Sequence, residues 1–144
     1  MQVQVKKLDD RATLPAAGST CAAGYDLYAC LDESVTIGAH STAMIHTGLA
    51  VALPEKTFGA VFARSGLAMK EGLRPANCVG VVDCDYRGEL MVALHNDSPT
   101  AKVVKHGERI AQMVLLPYLP MEFEEVDALP ETERGSGGFG STGK

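Results

Sequence analysis

The sequence is organised around one stretch, Gly80-Val81-Val82-Asp83-Cys84-Asp85-Tyr86-Arg87-Gly88-Glu89-Leu90. An apolar run over residues 78–82 leads into an acidic turn, and a second apolar run over residues 90–94 leaves it. Two such runs around a short turn predict a β-hairpin. Residues 83–87 contain two carboxylates, a phenol and a guanidinium, whereas a turn shaped for geometry alone favours Gly, Asn or Pro. The turn is therefore either a charged hairpin tip with Tyr86 covering the core, or a chemical site.

The rest of the chain has the pattern of an all-β protein. Turn signals recur about every 8–12 residues, the spacing typical of a sandwich or barrel. Residues 67–72 alone suggest a helix, of one or two turns, and residues 14–20 are predicted to form a loop of small residues. Besides the two runs around the acidic turn, strands are predicted at residues 3–5, 34–37, 42–46, 49–53, 57–63, 102–105, 109–116 and 121–126.

The length of the chain predicts the number of domains, and its charge excludes one class of function. At 144 residues the chain has the length of one domain, and such a domain buries roughly 70% of the surface that its unfolded form exposes. Neither a structural metal nor a disulfide is therefore needed for stability. The net charge of −5 argues against general nucleic-acid binding, which needs a basic face.

Cysteine usage and the N-terminus predict the compartment. The cysteines contain no CxxC pair and the histidines show no zinc-ligand spacing, so free thiols in a reducing compartment are expected. Residues 1–6 lack the apolar region of a signal peptide. No apolar run approaches the roughly 18 residues needed to cross a membrane. We expect a protein of the cytoplasm or another reducing compartment, with no membrane partner.

The composition changes after Pro130. Residues 134–144 are rich in glycine and hold one aromatic residue, so this segment cannot bury enough apolar area to offset its ordering entropy. We expect a mobile tail in the empty protein. The predicted organisation is a β-barrel domain over residues 1–130 and a flexible arm over residues 131–144.

Five stretches, in this order along the chain, resemble the signature motifs of the trimeric dUTPases, the deoxyuridine triphosphate pyrophosphatases. They are AGYDL at 23–27, RSGLA at 64–68, GVVDCDYRGEL at 80–90, GERIAQ at 107–112 and RGSGGFGSTG at 134–143. The resemblance implies a jelly-roll-like β-barrel with one short helix and a flexible Gly-rich C-terminal arm that closes over an active site. It also implies a homotrimer whose active sites are shared between subunits.

The resemblance implies a reaction as well. dUTP and water give dUMP and pyrophosphate with Mg²⁺, which removes dUTP and supplies dUMP for thymidylate synthesis. A carboxylate beside a phosphate can orient and deprotonate the attacking water. By resemblance that carboxylate is Asp83, which also lies near the deoxyribose 3′-hydroxyl. The alternative for Asp83 is a cap on its turn.

Two further residues of this region are assigned to the nucleoside by resemblance. Tyr86 would lie against the deoxyribose and exclude a 2′-hydroxyl, a role compatible with a core tyrosine. Asn77 would read the uracil edge, because an amide offers both a donor and an acceptor. The backbone of Gly80 and Val82 would complete the recognition of the base.

The remaining assignments concern the phosphates and the stacking of the base. Arg64, Ser65 and Gly66 open the short helix, whose free N–H groups favour anions. Gln112 interrupts an apolar run and needs a partner if it is buried, by resemblance a substrate phosphate. The predicted catalytic set is Asp83, Gln112 and Arg134. In the arm, the assigned residues are Arg134 on phosphate, Phe139 stacked on uracil, and Gly140, Ser141 and Thr142 around the γ-phosphate.

Three questions stay open at the level of the sequence. Asp26 either holds the metal indirectly through water, with the rest of the metal shell carried by substrate phosphates, or forms a structural hydrogen bond beneath the site. The dCTP deaminases resemble the same core but lack the glycine-rich arm. The other alternative to a dUTPase is a non-catalytic trimer that binds nucleotide or a protein partner as a regulator.

Overall fold

The computed structural model describes residues 2–138, which form twelve strands and one helix. The strands are β1 Gln4–Lys7, β2 Ala16–Ala17, β3 Tyr25–Tyr28, β4 Val35–Ile37, β5 Thr42–His46, β6 Leu49–Ala52, β7 Thr57–Phe62, β8 Leu73–Pro75, β9 Gly80–Asp83, β10 Met91–Asn96, β11 Lys102–Val104 and β12 Arg109–Pro117, and the helix is α1 Ser65–Glu71. The predicted all-β class with one short helix is confirmed.

The strands form four antiparallel sheets around one core. The largest has the order β2-β3-β12-β7-β9, a second has the order β5-β10-β8, and β1-β6 and β4-β11 are pairs. Strand β10 shows why this sequence folds so, because its side chains alternate between the two faces. Val92 and Leu94 are buried in the core, while Met91 on the opposite face is exposed. Buried side chains from all four sheets pack together in this core, for example Leu27, Ile37, Ile45 and Val51.

Helix α1 connects β7 of the largest sheet to β8 of the three-stranded sheet. It begins after Arg64, which has an extended backbone, and ends at Gly72, whose φ of 69° closes the last turn. Only glycine adopts this conformation freely. A side chain at Gly72 would also press on the backbone of Ser98. Among residues 2–138, no helix has the length and apolar character of a membrane span.

The predicted hairpin around residues 83–89 is wrong in its pairing. Strand β9 pairs with β7, whereas β10 pairs with β5 and β8. The acidic turn therefore connects two different sheets. Apolar alternation fixes which face of a strand is buried, but it does not choose the neighbouring strand.

The predicted strand at residues 121–126 is also wrong. No described strand pairs with this segment, and Phe123 within it is 90% exposed. A run of β-forming residues needs a partner for its backbone groups, and among the described residues this one has none. Three strands were not predicted. Strand β2 lies in the expected loop, β3 begins in the AGYDL stretch and ends one residue after it, and β8 contains a proline at the edge of its sheet.

Candidate active site

Three of the five quoted stretches meet at one cleft. Gln112 on β12 pairs with Asp26 on β3 and with Phe62 on β7, so the centre of the large sheet brings AGYDL, RSGLA and GERIAQ together. The cleft has a volume of about 510 Å³. Its polar lining consists of Asp26, Arg64, Ser65, Arg109 and Gln112, and its walls include Gly18, Ala22, Ala23, Gly24 and Gly66.

Two guanidinium groups converge on one carboxylate in this cleft. Arg64 Nε donates to Asp26 Oδ1 at 2.7 Å, and Arg109 Nη1 donates to Asp26 Oδ2 at 3.3 Å. The Asp26 side chain is only 13% exposed. Two positive groups and one negative group leave the cleft with a local excess of positive charge. In a protein of net charge −5, this is a site suited to an anion.

Gln112 is oriented by its own chain. Its Nε2 donates to the carbonyl of Ala63 at 2.9 Å, and its Oε1 lies against the α-carbon of Gly24, where a side chain would not fit. The partner that a half-buried glutamine requires is therefore a backbone carbonyl. An amide nitrogen carries two hydrogens, so a second donor of Gln112 is available for another acceptor.

Arg109 is a residue of the cleft that the sequence analysis did not assign. Residues three apart on a regular strand point to opposite faces, so Arg109 and Gln112 would not be expected to share a site. The register of β12 against β3 shifts between Arg109 and Ala111. This bulge changes the direction of the Arg109 side chain, and simple alternation could not have revealed it.

The acidic turn after β9 is closed by its own hydrogen bonds. The N–H of Tyr86 donates to the carbonyl of Asp83 at 3.2 Å. The guanidinium of Arg87 donates to the carbonyls of Cys84 at 2.7 Å and Tyr86 at 2.9 Å. Tyr86 Oη donates to the carbonyl of Glu89 at 3.0 Å. The turn has a defined shape, with Asp83 exposed at its start.

Tyr118, just beyond β12, lies beside the same turn. Interaction with the neighbouring Cys84 side chain raises the pKa of the Tyr118 phenol, and partial burial and the carboxylates of Asp83 and Asp85 act in the same direction. The sequence analysis did not assign this residue, since no motif includes it. Tyr118 therefore lies close enough to the turn to interact with its charges, at the beginning of the C-terminal segment.

Asn77 lies in a second tight turn, immediately before β9. The N–H of Cys78 donates to the carbonyl of Pro75 at 3.1 Å, and the N–H of Val79 donates to the carbonyl of Asn77 at 2.6 Å. Cys78 has a φ of 63°, a left-handed conformation that is uncommon outside glycine. Asn77 is exposed, and its Nδ2 lies close to Gly80.

Within one chain, the turn and the cleft are apart. Asp83 pairs with Phe58 near the start of β7, whereas Gln112 pairs with Phe62 at its end. At about 3.3 Å per residue these two positions of β7 are about 13 Å apart. Arg64 lies further along the chain in the same direction. The structure therefore brings Asp26, Arg64 and Gln112 together at the centre of the sheet. It places Asp83 on the edge strand β9, towards the other end of β7, while Gly80 at the start of β9 pairs with Val61.

After the last strand ends at Pro117, the C-terminal segment contains no helix or strand over the described residues 118–138 and is almost entirely exposed. Arg134 is exposed in a turn in which Gly135 N–H donates to Thr132 O at 3.0 Å and Gly137 N–H donates to Arg134 O at 3.1 Å. The predicted contacts of Phe139, Gly140, Ser141 and Thr142 lie outside the described residues.

The cleft contains few side chains that could ligate a metal ion. In the part of the chain from residue 2 to residue 138, no three His, Cys, Asp or Glu side chains are grouped to hold a metal ion. Asp26 is the one carboxylate of the cleft, and each of its oxygens accepts a hydrogen bond from an arginine. A cage made of protein ligands does not fit these residues.

Comparison with known proteins decides the family. A profile of the dUTPase family matches residues 10–143. This chain belongs to the dUTPase family. The deoxyuridine 5'-triphosphate nucleotidohydrolase of Desulfitobacterium hafniense is similar to it, with 51% identity over 99% of this chain and 95% of the relative. The protein of the same name from Acinetobacter baumannii is 46% identical over 100% of this chain and 99% of the relative.

Solved dUTPase structures confirm the fold. The dUTPase of Staphylococcus bacteriophage 80alpha, solved with dUPNHPP, superposes with a TM-score of 0.89 at 29% identity, and the match covers 99% of each chain. The predicted resemblance and the jelly-roll-like β fold are thereby confirmed for this dUTPase-family chain.

Proposed function

We propose that this chain hydrolyses dUTP to dUMP and pyrophosphate, and so removes dUTP and supplies dUMP for thymidylate synthesis. The observation that carries the proposal is the positive cleft, which the sheet assembles from three of the family's motifs around Arg64, Arg109 and Gln112. Relatives that this chain matches along nearly its whole length are named deoxyuridine 5'-triphosphate nucleotidohydrolases. A structural relative binds dUPNHPP.

The triphosphate binds in the cleft. The start of α1 presents Ser65 and Gly66 there, and guanidinium groups and free N–H groups are the usual partners of phosphate oxygens. Mg²⁺ would be held by the substrate phosphates and by water rather than by a protein cage, and it would offset the negative charge of the phosphates. The contacts of Asp26 support its structural role, which is to hold Arg64 and Arg109. Contact with the metal through water stays a prediction for Asp26.

The base is read at the edge of the large sheet. Strand β9 is the edge strand of its sheet and pairs with β7 on one side. Among the described strands none pairs with its other side, so backbone groups along Gly80 and Val82 are left for a ligand. Together with the Asn77 amide, these groups suit the donor and acceptor pattern of uracil. Cytosine reverses that pattern, and each unpaired buried polar group costs on the order of 1–3 kcal/mol.

In the proposed mechanism, Asp83 accepts a proton from a water molecule while the oxygen of that water attacks the α-phosphorus in line. The new P–O bond forms to the water oxygen, and the bond between the α-phosphorus and the bridging oxygen of the β-phosphate breaks. Pyrophosphate leaves with the electron pair. Gln112 and Arg134 donate to phosphate oxygens as charge develops on them.

The site is completed by other copies of the chain. The distance of about 13 Å along β7 between the Asp83 turn and the cleft of the same subunit supports a site whose two halves come from different chains. Exposed apolar side chains on the C-terminal segment support an assembly, since Leu119 is 86% and Phe123 is 90% exposed. We propose a homotrimer in which the barrel of residues 1–130 binds substrate and the arm of residues 131–144 closes over it.

A trimer is expected at micromolar concentration. Its mass should be three times that of the 15.2 kDa chain in multi-angle light scattering. The activity per chain should rise with protein concentration in the range where trimers form, because the two halves of the site are separated within a single chain. A monomeric mass together with full activity would contradict the shared site.

Tyr86→Ala is expected to relax the preference for dUTP over UTP. In the proposed site the Tyr86 ring lies against C2′ of the sugar, and its removal makes room for a 2′-hydroxyl. The measurement is the ratio of kcat/KM for the two nucleotides in the wild-type and variant enzymes. An unchanged ratio with retained activity would mean that ribose is excluded elsewhere.

The experiment that tests the function is a survey of the products from all deoxynucleoside triphosphates and UTP with Mg²⁺. Pyrophosphate release from dUTP well above the other nucleotides is expected. Ammonia release from dCTP would instead indicate the related deaminase chemistry. Binding without turnover would indicate a non-catalytic nucleotide-binding regulator.

A further inference from the structure

The carboxylate of Glu89 fastens the acidic turn to the body of the protein. Its Oε1 accepts the N–H of Gly48 at 2.8 Å, and its Oε2 bonds to His46 Nδ1 at 2.9 Å. The Glu89 side chain is 23% exposed. The carbonyl of this same residue accepts the hydroxyl of Tyr86 at 3.0 Å. One residue therefore joins Tyr86 to the connection between β5 and β6.

The backbone to which the Glu89 carboxylate bonds is closely packed at Gly48. Gly48 has a φ of 67°, and a side chain there would come within 3.0 Å of Ala12 Cβ and 3.1 Å of Cys30 Sγ. The next residue is held as well, because Leu90 N–H donates to Leu49 O at 2.7 Å. Glu89 thus bonds to backbone that is closely packed against neighbouring side chains.

The Tyr86 ring reaches Glu89 by folding back across Gly88. A side chain at Gly88 would collide with the ring and hydroxyl of Tyr86, and the collision would involve the rigid end of the tyrosine. The position of the ring is therefore set at two points, the bare α-carbon of Gly88 and the carbonyl of Glu89. Movement of the Glu89 peptide would move the second point.

We propose that Glu89 is a positioning residue for sugar selectivity, which acts by holding Tyr86 at the angle that excludes a 2′-hydroxyl. The inference rests on the proposed role of Tyr86 and adds to it the device that fixes the ring. Without the carboxylate, the part-buried N–H of Gly48 loses its acceptor and residue 89 loses its side-chain anchor. The Glu89 carbonyl that accepts the Tyr86 hydroxyl is then held through the other end of its own peptide, the Leu90 N–H bonded to Leu49 O, and its angle is less closely fixed.

The test is a double-mutant cycle read as the ratio of kcat/KM for dUTP and UTP. Glu89→Ala is expected to lower this ratio by on the order of five- to ten-fold, the scale of one lost hydrogen-bonded anchor, while kcat for dUTP stays within about three-fold. Glu89→Gln keeps an acceptor for Gly48 N–H and should restore most of the preference. Tyr86→Phe removes the other end of the link and should lower the ratio similarly.

The coupling in the cycle is decisive. The double variant of Glu89→Ala and Tyr86→Phe should lose no more preference than the larger single variant, because both changes cut one link. Ser98→Ala is the matched control, since it removes a part-buried side-chain hydrogen bond to Asn96 at the opposite end of β10 and should leave the ratio unchanged. If Glu89→Ala fails to fold, Glu89→Asp withdraws the carboxylate from Gly48 by one methylene and serves instead.

Three results would overturn the inference. An unchanged ratio in the Glu89 variants, with a lowered ratio in Tyr86→Ala, would show that Tyr86 discriminates without this anchor. Fully additive losses in the double variant would show that the two residues act separately. An unchanged ratio in Tyr86→Ala itself would remove the role of Tyr86 and with it that of Glu89, while pyrophosphate release by the wild-type enzyme would still support the proposed hydrolysis.

Discussion

Asp83→Asn is expected to retain nucleotide binding and to lose turnover by at least about 10²-fold, the usual scale for a lost general base. Asparagine keeps the shape and the acceptor oxygen of the side chain, but it cannot take a proton from the attacking water. The backbone of Asp83 is fixed by its pairing with Phe58 and by the hydrogen bond from Tyr86 N–H, so the variant should keep the fold. The measurements are pyrophosphate release and calorimetric titration with dUPNHPP.

Asp85 provides the matched control for this variant. It is an exposed carboxylate two residues further along the same turn and has no role in the proposed mechanism. Asp85→Asn changes the charge of the turn by the same amount, so its loss of turnover should stay below about ten-fold, within the range of a surface electrostatic effect. Near wild-type turnover in Asp83→Asn, or equal losses in the two variants, would remove Asp83 as the base.

Truncation after Glu133 is expected to leave the fold intact and to lower kcat/KM by at least about 10²-fold, the scale of a lost set of positioning contacts. The last strand ends at Pro117, and residues 131–136 are exposed, so the barrel does not depend on them. The proposed contacts of Arg134, Phe139 and Thr142 with the bound nucleotide are removed together. The measurements are the melting temperature and kcat/KM for dUTP.

Phe139→Trp tests closure of the arm in the full-length enzyme. The chain contains no other tryptophan, so a change in fluorescence on adding dUPNHPP would report an indole stacked on the base. Deletion of Lys144 alone, which has no assigned contact, is the control for shortening the chain. A flat fluorescence signal and normal activity in the truncated enzyme would mean that the arm is a passive extension.

Most strands could be predicted because their apolar residues alternate. Strand β5 has the predicted bounds of residues 42–46, and β10 overlaps the apolar run of residues 90–94 and continues two residues beyond it. The neighbour of each strand could not be predicted, and the hairpin assigned to β9 and β10 was wrong for this reason. Residues 121–126 failed for a related reason, because β-forming side chains do not supply a partner for the backbone.

The cleft was predicted in part. The quoted motifs contained Asp26, Arg64 and Gln112, and the sheet brings these residues together. Arg109 was missed because its contribution depends on a bulge in β12, a change of register that leaves no periodic signal. The hydrogen bond from Gln112 to Ala63 depends on long-range packing and was equally invisible. The separation of Asp83 on β9 from Gln112 on β12 depends on where each of these strands pairs along β7, which has no signal in the sequence.

The central claim is that water, activated by Asp83, attacks the α-phosphorus of dUTP. Hydrolysis in ¹⁸O-labelled water tests it most directly, with mass spectrometry of the two products after a single turnover. The account predicts one ¹⁸O atom in the phosphate of dUMP and none in pyrophosphate, because the new P–O bond forms at the α-phosphorus. Label in pyrophosphate and unlabelled dUMP would place the attack at the β-phosphorus and contradict the account.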